Sequence, residues 1–150
     1  MKKIIFIIYG LLFLINASAQ DTLDIVNHAD CNTRLSIETR KTIGPTNAPK
    51  GYGDILEFKG NKRSDIHFME KESHTVWYQF ETKTKGKFTF ELEPLDSLND
   101  YDFALYKYTD EGFCEAVQNK TILPIRTNFS RNKPAIASKT GLAIPSSLTI

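Results

Sequence analysis

From Thr75 to Tyr108 the chain alternates apolar and polar side chains with a period of two, a pattern that only extended backbone can sort onto two faces. In Thr75–Glu81, Val76, Tyr78 and Phe80 fall on one side and Thr75, Trp77, Gln79 and Glu81 on the other. β-Branched and aromatic residues dominate this stretch, which favours strand over helix. Lys87–Glu93 repeats the pattern, with Phe88, Phe90 and Leu92 on one face. The polar turn Lys83-Thr84-Lys85-Gly86-Lys87 between the two predicts an antiparallel hairpin. Pro94, which cannot donate to a ladder, ends the second strand. Asp102–Tyr108 is a third strand, with Phe103 and Leu105 opposite Ala104, Tyr106 and Tyr108.

Elsewhere the pattern is weaker. One short strand is expected near 34–38, set among turn residues such as Gly44-Pro45, Pro49 and Gly51-Tyr52-Gly53. Ile55, Leu56 and Phe58 form a weak run, Gly60-Asn61 a turn, and Ile66 and Phe68 alternate with Asp65 and His67. Phe113–Val117 is ambiguous, Ile122–Ile125 reads as an edge strand or a strand end, and loop residues dominate after 126. Strands at this spacing predict an all-β fold, an antiparallel sandwich. If its core takes Val76, Tyr78 and Phe80, Trp77 faces outward, a candidate ligand-binding residue. With Tyr78, Tyr106 and Tyr108 it could form an aromatic platform for a sugar or a peptide, although such aromatics are more often core.

The sandwich is expected over residues 20–150, because residues 1–19 read as a cleavable signal peptide. Lys2-Lys3 is a basic start, Ile4–Ile15 a short apolar run, and Ala17-Ser18-Ala19 a small-residue cleavage site before Gln20. The apolar run is too short to span a bilayer, which needs about 20 residues. No later segment is long enough either, so no transmembrane segment is expected in the mature chain. Cleavage removes Lys2 and Lys3, leaving 17 Lys and Arg against 18 Asp and Glu, a net charge of −1. That balance gives no electrostatic reason to bind nucleic acid or an anionic membrane. Two cysteines, Cys31 and Cys114, remain in an exported chain, where a disulfide between them is permitted and two separate buried thiols are the alternative.

Catalytic patterns are sparse. There is no Gly-x-Ser-x-Gly, no Cys-x-x-Cys, no His-x-x-x-His and no Gly-rich phosphate loop. A triad of a Ser, His74 and an Asp can be written on paper, but the spacing says nothing for it. The cluster that stands out is Asp96-Ser97-Leu98-Asn99-Asp100-Tyr101-Asp102. Asp96, Asn99, Asp100 and Asp102 offer oxygen donors of the kind that Ca²⁺ takes from loops, without EF-hand spacing. The same residues also suit a plain turn between strands. Asn119-Lys120-Thr121 and Asn128-Phe129-Ser130 match the glycosylation sequon, which matters only in a eukaryotic secretory pathway.

His74-Thr75-Val76-Trp77-Tyr78-Gln79-Phe80, Gly86-Lys87-Phe88-Thr89-Phe90 and Asn99-Asp100-Tyr101-Asp102-Phe103-Ala104-Leu105-Tyr106 together resemble the pre-peptidase C-terminal β-sandwich domain. The likeness is to versions in exported bacterial proteins and beside OmpA-type outer-membrane modules. Cys114, Pro124-Ile125-Arg126 and Thr140-Gly141-Leu142 extend it to about residues 30–142. The resemblance implies a jelly-roll-like accessory domain of the periplasm, cell surface or medium that serves secretion, adhesion or targeting and does not catalyse. Its partner would be a protein or carbohydrate at the cell surface. Some relatives hold calcium through acidic loop residues, which points again to Asp100 and Asp102. Members of that family continue into a Gly-rich segment and closing strands, whereas this sequence stops at Leu148-Thr149-Ile150. The domain is therefore expected to be unusually short or a fragment, and if strands are missing an apolar sheet edge would be left open. An exported hydrolase, or a structural domain that completes its sheet with a partner chain, are the alternative expectations.

Overall fold

The computed structural model describes residues 23–59, 69, 72–129, 139–143 and 148–149. The expected signal peptide, the Gly60-Asn61 turn and the Ile66–Phe68 run lie outside the described residues.

The architecture is β-rich, with short strands and little helix. The strands are β1 (Leu35–Ser36), β2 (Tyr78–Gln79), β3 (Lys87–Phe88), β4 (Phe90–Leu92), β5 (Phe103–Leu105), β6 (Arg126–Asn128), β7 (Thr140–Leu142) and β8 (Leu148–Thr149). Among the described residues they pair two by two: β1 with β2 in parallel, and β3 with β8, β4 with β7 and β5 with β6 antiparallel.

The expected hairpin between 75–81 and 87–93 does not form. The backbone of the first segment is bonded elsewhere: Leu35 N–H donates to Trp77 O and Ile37 N–H to Gln79 O, both at 2.8 Å, while Trp77 N–H donates to His28 O at 2.8 Å. The second segment takes its partners from the C-terminal region, Phe90 opposite Leu142 and Phe88 opposite Leu148. The two segments meet through side chains, the Phe80 and Phe88 rings stacking at 4.5 Å. Alternation states which faces are buried, and it is silent about which strand lies alongside.

The tail beyond residue 126 is also not the loop its composition predicts, since β6, β7 and β8 all lie there. Their polar residues are satisfied laterally, the Asn128 amide donating to the Thr140 hydroxyl at 2.7 Å. Gly141 makes the close approach possible. At its φ of +147° a Cβ would sit 2.2 Å from Phe90 O, so only glycine lets β7 lie against β4. β3 and β4 are thus paired by residues 148–149 and 140–142.

The ambiguous segment after the Asp110-Glu111-Gly112 turn is a helix, α1 (Phe113–Gln118). Phe113 and Val117, four residues apart, share one face and are buried. A Schellman arrangement ends it: Lys120 N–H donates to Val117 O and Thr121 N–H to Ala116 O, with Lys120 at φ 57°.

The core lies where α1 meets the start of the described chain. Cys31, Phe58, Phe113 and Val117 are buried together, with Met69, Trp77, Tyr106, Cys114 and Ile122 packed against them. A disulfide joins Cys31 to Cys114 through this cluster. A second aromatic row runs from Phe80 through Phe88 and Phe90 to Phe103, its last contact edge-on at 4.9 Å.

Candidate functional site

Trp77, expected to face outward, does not. Its ring stacks on Phe58 at 6.0 Å, lies 6.2 Å from Tyr106 and packs against the cluster around the disulfide. Its indole N–H is enclosed. Tyr78, assigned to the core face, is instead 36% exposed. The disulfide, Phe58 and α1 wall off the Trp77 side of this strand, whereas on the other side the phenylalanine row takes Phe80 and leaves Tyr78 exposed. The aromatic platform is therefore divided. Tyr106 is half-buried beside Trp77, and burial raises its phenol well above the ordinary value. Tyr108 stays exposed beneath the Arg34 guanidinium, 4.8 Å from its ring centroid.

Arg34 clamps the rim of the disulfide. It donates to Gln79 Oε1, to Cys31 O at 3.1 Å and to Tyr108 Oη at 3.1 Å. These bonds occupy the fork on neutral acceptors, and the site is a brace between β1, β2 and the chain after β5.

The acidic loop is exposed, with Asp96, Asn99, Asp100 and Asp102 all on the surface. Asp96 Oδ1 accepts from Leu98 N–H at 2.9 Å and Asn99 N–H donates to Asp96 O at 3.0 Å, the bonds of an Asx turn. Among the described residues no three His, Cys, Asp or Glu side chains converge to hold a metal ion. The turn presents two apolar side chains at its tip, Leu95 at 83% and Leu98 at 74% exposure. Buried Pro94 anchors its start.

Of the histidines, His28 Nδ1 bonds Thr33 O, and His67 lies outside the described residues. His74 Nδ1 is 2.8 Å from Ser73 Oγ, on an exposed turn where His74 has φ 56°. Adjacent residues in open solvent, with the hydroxyl on Nδ1, leave neither an enclosed site nor a shielded base. The sequon residues have local duties: Thr121 Oγ1 donates to Ala116 O at the end of α1, and the Asn128 amide bonds Thr140.

Sequence reasoning did not single out the three buried acids. Asp30 accepts from Asp54 N–H at 3.1 Å and Ile55 N–H at 2.9 Å. Glu57 Oε1 accepts from Cys31 N–H at 2.8 Å, and Glu72 Oε2 from Phe58 N–H at 3.0 Å. Each carboxyl thus ties its own segment to the next, stitching 30–31, 54–58 and 72 together beneath the disulfide. Gly53, at φ 83°, leaves room for the Asp30 carboxylate, which a Cβ there would meet at 2.3 Å. Burial pushes Glu57 up to about 8 and raises Glu72 as well. The only hint in the sequence was that Glu57 interrupts the Ile55–Phe58 apolar run.

No protein-family model, curated protein or solved structure matches this chain. Among the described residues, no helix is long and apolar enough to cross a membrane.

Proposed function

We propose that this chain is an exported, non-catalytic binding module, a sandwich of mainly antiparallel strands that meets a protein or carbohydrate of the cell envelope through the loop at 95–102. The observation that carries this reading is the exposure of Leu95 and Leu98 on one turn. Single exposed leucines are ordinary, but two at the tip of a loop held by its own Asx turn give an apolar contact at a fixed position. Asp96, Asp100 and Asp102 surround it with negative charge. Aromatic rows on opposite sides of the strands support the two-layer architecture. Export rests on the basic start, apolar run and Ala-x-Ala site of residues 1–19.

The test compares the wild type with Leu95→Ser/Leu98→Ser for retention on envelope fractions of the producing cells. The variant should lose retention at an unchanged melting temperature, and equal retention would sink the reading. N-terminal sequencing of the secreted product should begin at Gln20; an uncut product would remove the export step. With the Asp96 carboxylate engaged inside its turn, adding CaCl2 should leave the melting temperature unmoved. A rise abolished by Asp100→Ala/Asp102→Ala would instead assign the loop a structural calcium ion.

A further inference from the structure

We propose that Glu57 and Glu72 form an alkaline latch: one proton shared between their buried carboxyls locks residues 53–58 and 72–77 beneath the disulfide, and its loss releases this region.

Burial and two orphaned oxygens point to the proton. The two side chains are 1% and 2% exposed. Each spends one oxygen on a backbone N–H, Glu57 on Cys31 and Glu72 on Phe58. The remaining oxygens, Glu57 Oε2 and Glu72 Oε1, are buried with no partner among the described residues, and the two carboxyls lie close enough to act on each other, Glu72 reaching the Phe58 N–H next to Glu57. Two neighbouring carboxylates are both acceptors and both negative, so a pair this buried is held together by keeping one proton between them. The groups that face the pair do not replace it. Asp30 adds negative charge, its own oxygens held by Asp54 and Ile55 N–H. The Thr75 hydroxyl reaches Glu72 but brings no charge. Arg34 points its guanidinium at Gln79, Cys31 O and Tyr108, and His28 faces Thr33 O. Among the described residues no ion pair involves either glutamate.

The pair is closed to solvent, so it cannot serve a substrate, and its consequence is conformational. Opening the region hydrates both carboxyls and returns them to ordinary acidity, with release of the shared proton. Between the ordinary glutamate value of 4.5 and about 8, the opening equilibrium should therefore rise about tenfold per pH unit. Above that range the closed form has also lost its proton and the dependence flattens.

Amide hydrogen exchange at Cys31 and Phe58, the two N–H groups bonded to the pair, reads this directly in the oxidised protein. Hydroxide catalysis alone speeds exchange about tenfold per unit, so the latch predicts about a hundredfold per unit between pH 5 and 8. Amides of the β5–β6 pair should show the tenfold dependence only. Glu57→Gln, and separately Glu72→Gln, each supply a permanent N–H donor and should return Cys31 and Phe58 to tenfold. A tenfold slope at these amides in the wild type overturns the proposal without any variant. So does a hundredfold slope that persists in both variants, or one that EDTA abolishes, which would place a cation between the carboxyls.

Discussion

Trp77 shows how a single side chain can be worth more to the fold than to recognition. It is the only tryptophan and spans the gap between Phe58, Tyr106 and the disulfide cluster. Trp77→Ala should cost about 3–5 kcal/mol in urea unfolding, the usual range for emptying such a site. Trp77→Phe should cost under about 2 kcal/mol, since Phe keeps the stacking and the enclosed indole N–H has no acceptor to lose among the described residues. A loss of envelope retention in Trp77→Phe at unchanged stability would return the residue to a binding role. The alternation around Trp77 was legible in the sequence; the side it would bury was not. That choice depends on Phe58, α1 and the disulfide, all supplied by distant parts of the chain.

At the scale of elements, what could be read was extended structure over 75–108 and a strand near 34–38, realised at Leu35–Ser36. Pairing was not readable. β2 lies parallel to β1, more than forty positions upstream, and β4 is matched by a strand whose central residue is a glycine. A three-residue strand such as β7 holds too little sequence for a period to show, and only close packing reveals why Gly141 is there. Gly141→Ala should destabilise the protein by roughly 1–3 kcal/mol through strain at its φ and contact with Phe90 O, with the earliest exchange losses in β4 and β7. The short helix α1 was equally unreadable: six residues carry only one pair of apolar positions at helical spacing. Its end offers an opposite effect. Lys120 occupies the left-handed position that glycine prefers, so Lys120→Gly should stabilise by about 0.5–1 kcal/mol in thermal unfolding.

For the whole molecule, the disulfide and the buried acids act on the same region. The bridge spans 83 positions, and Cys31→Ala with Cys114→Ala should cost about 4–5 kcal/mol in the chain-entropy account, a large part of the stability of a domain this size. The buried pair then sets the pH profile of what remains. The unfolded chain ionises both glutamates near 4.5, while the native pair keeps a proton to about 8. Between those values the native state binds more protons than the unfolded one, so stability falls as pH rises, by up to about 1.4 kcal/mol per unit. Glu38, held low by exposed Lys41, works with the opposite sign, but below that window. Urea midpoints should therefore be highest near pH 5 and decline to pH 8, then level, and Glu57→Gln/Glu72→Gln should flatten the decline. A midpoint that stays level from pH 5 to 8 in the wild type would mean that both carboxyls are already ionised in the folded protein. The contact between them beneath the disulfide would then have no proton to hold it.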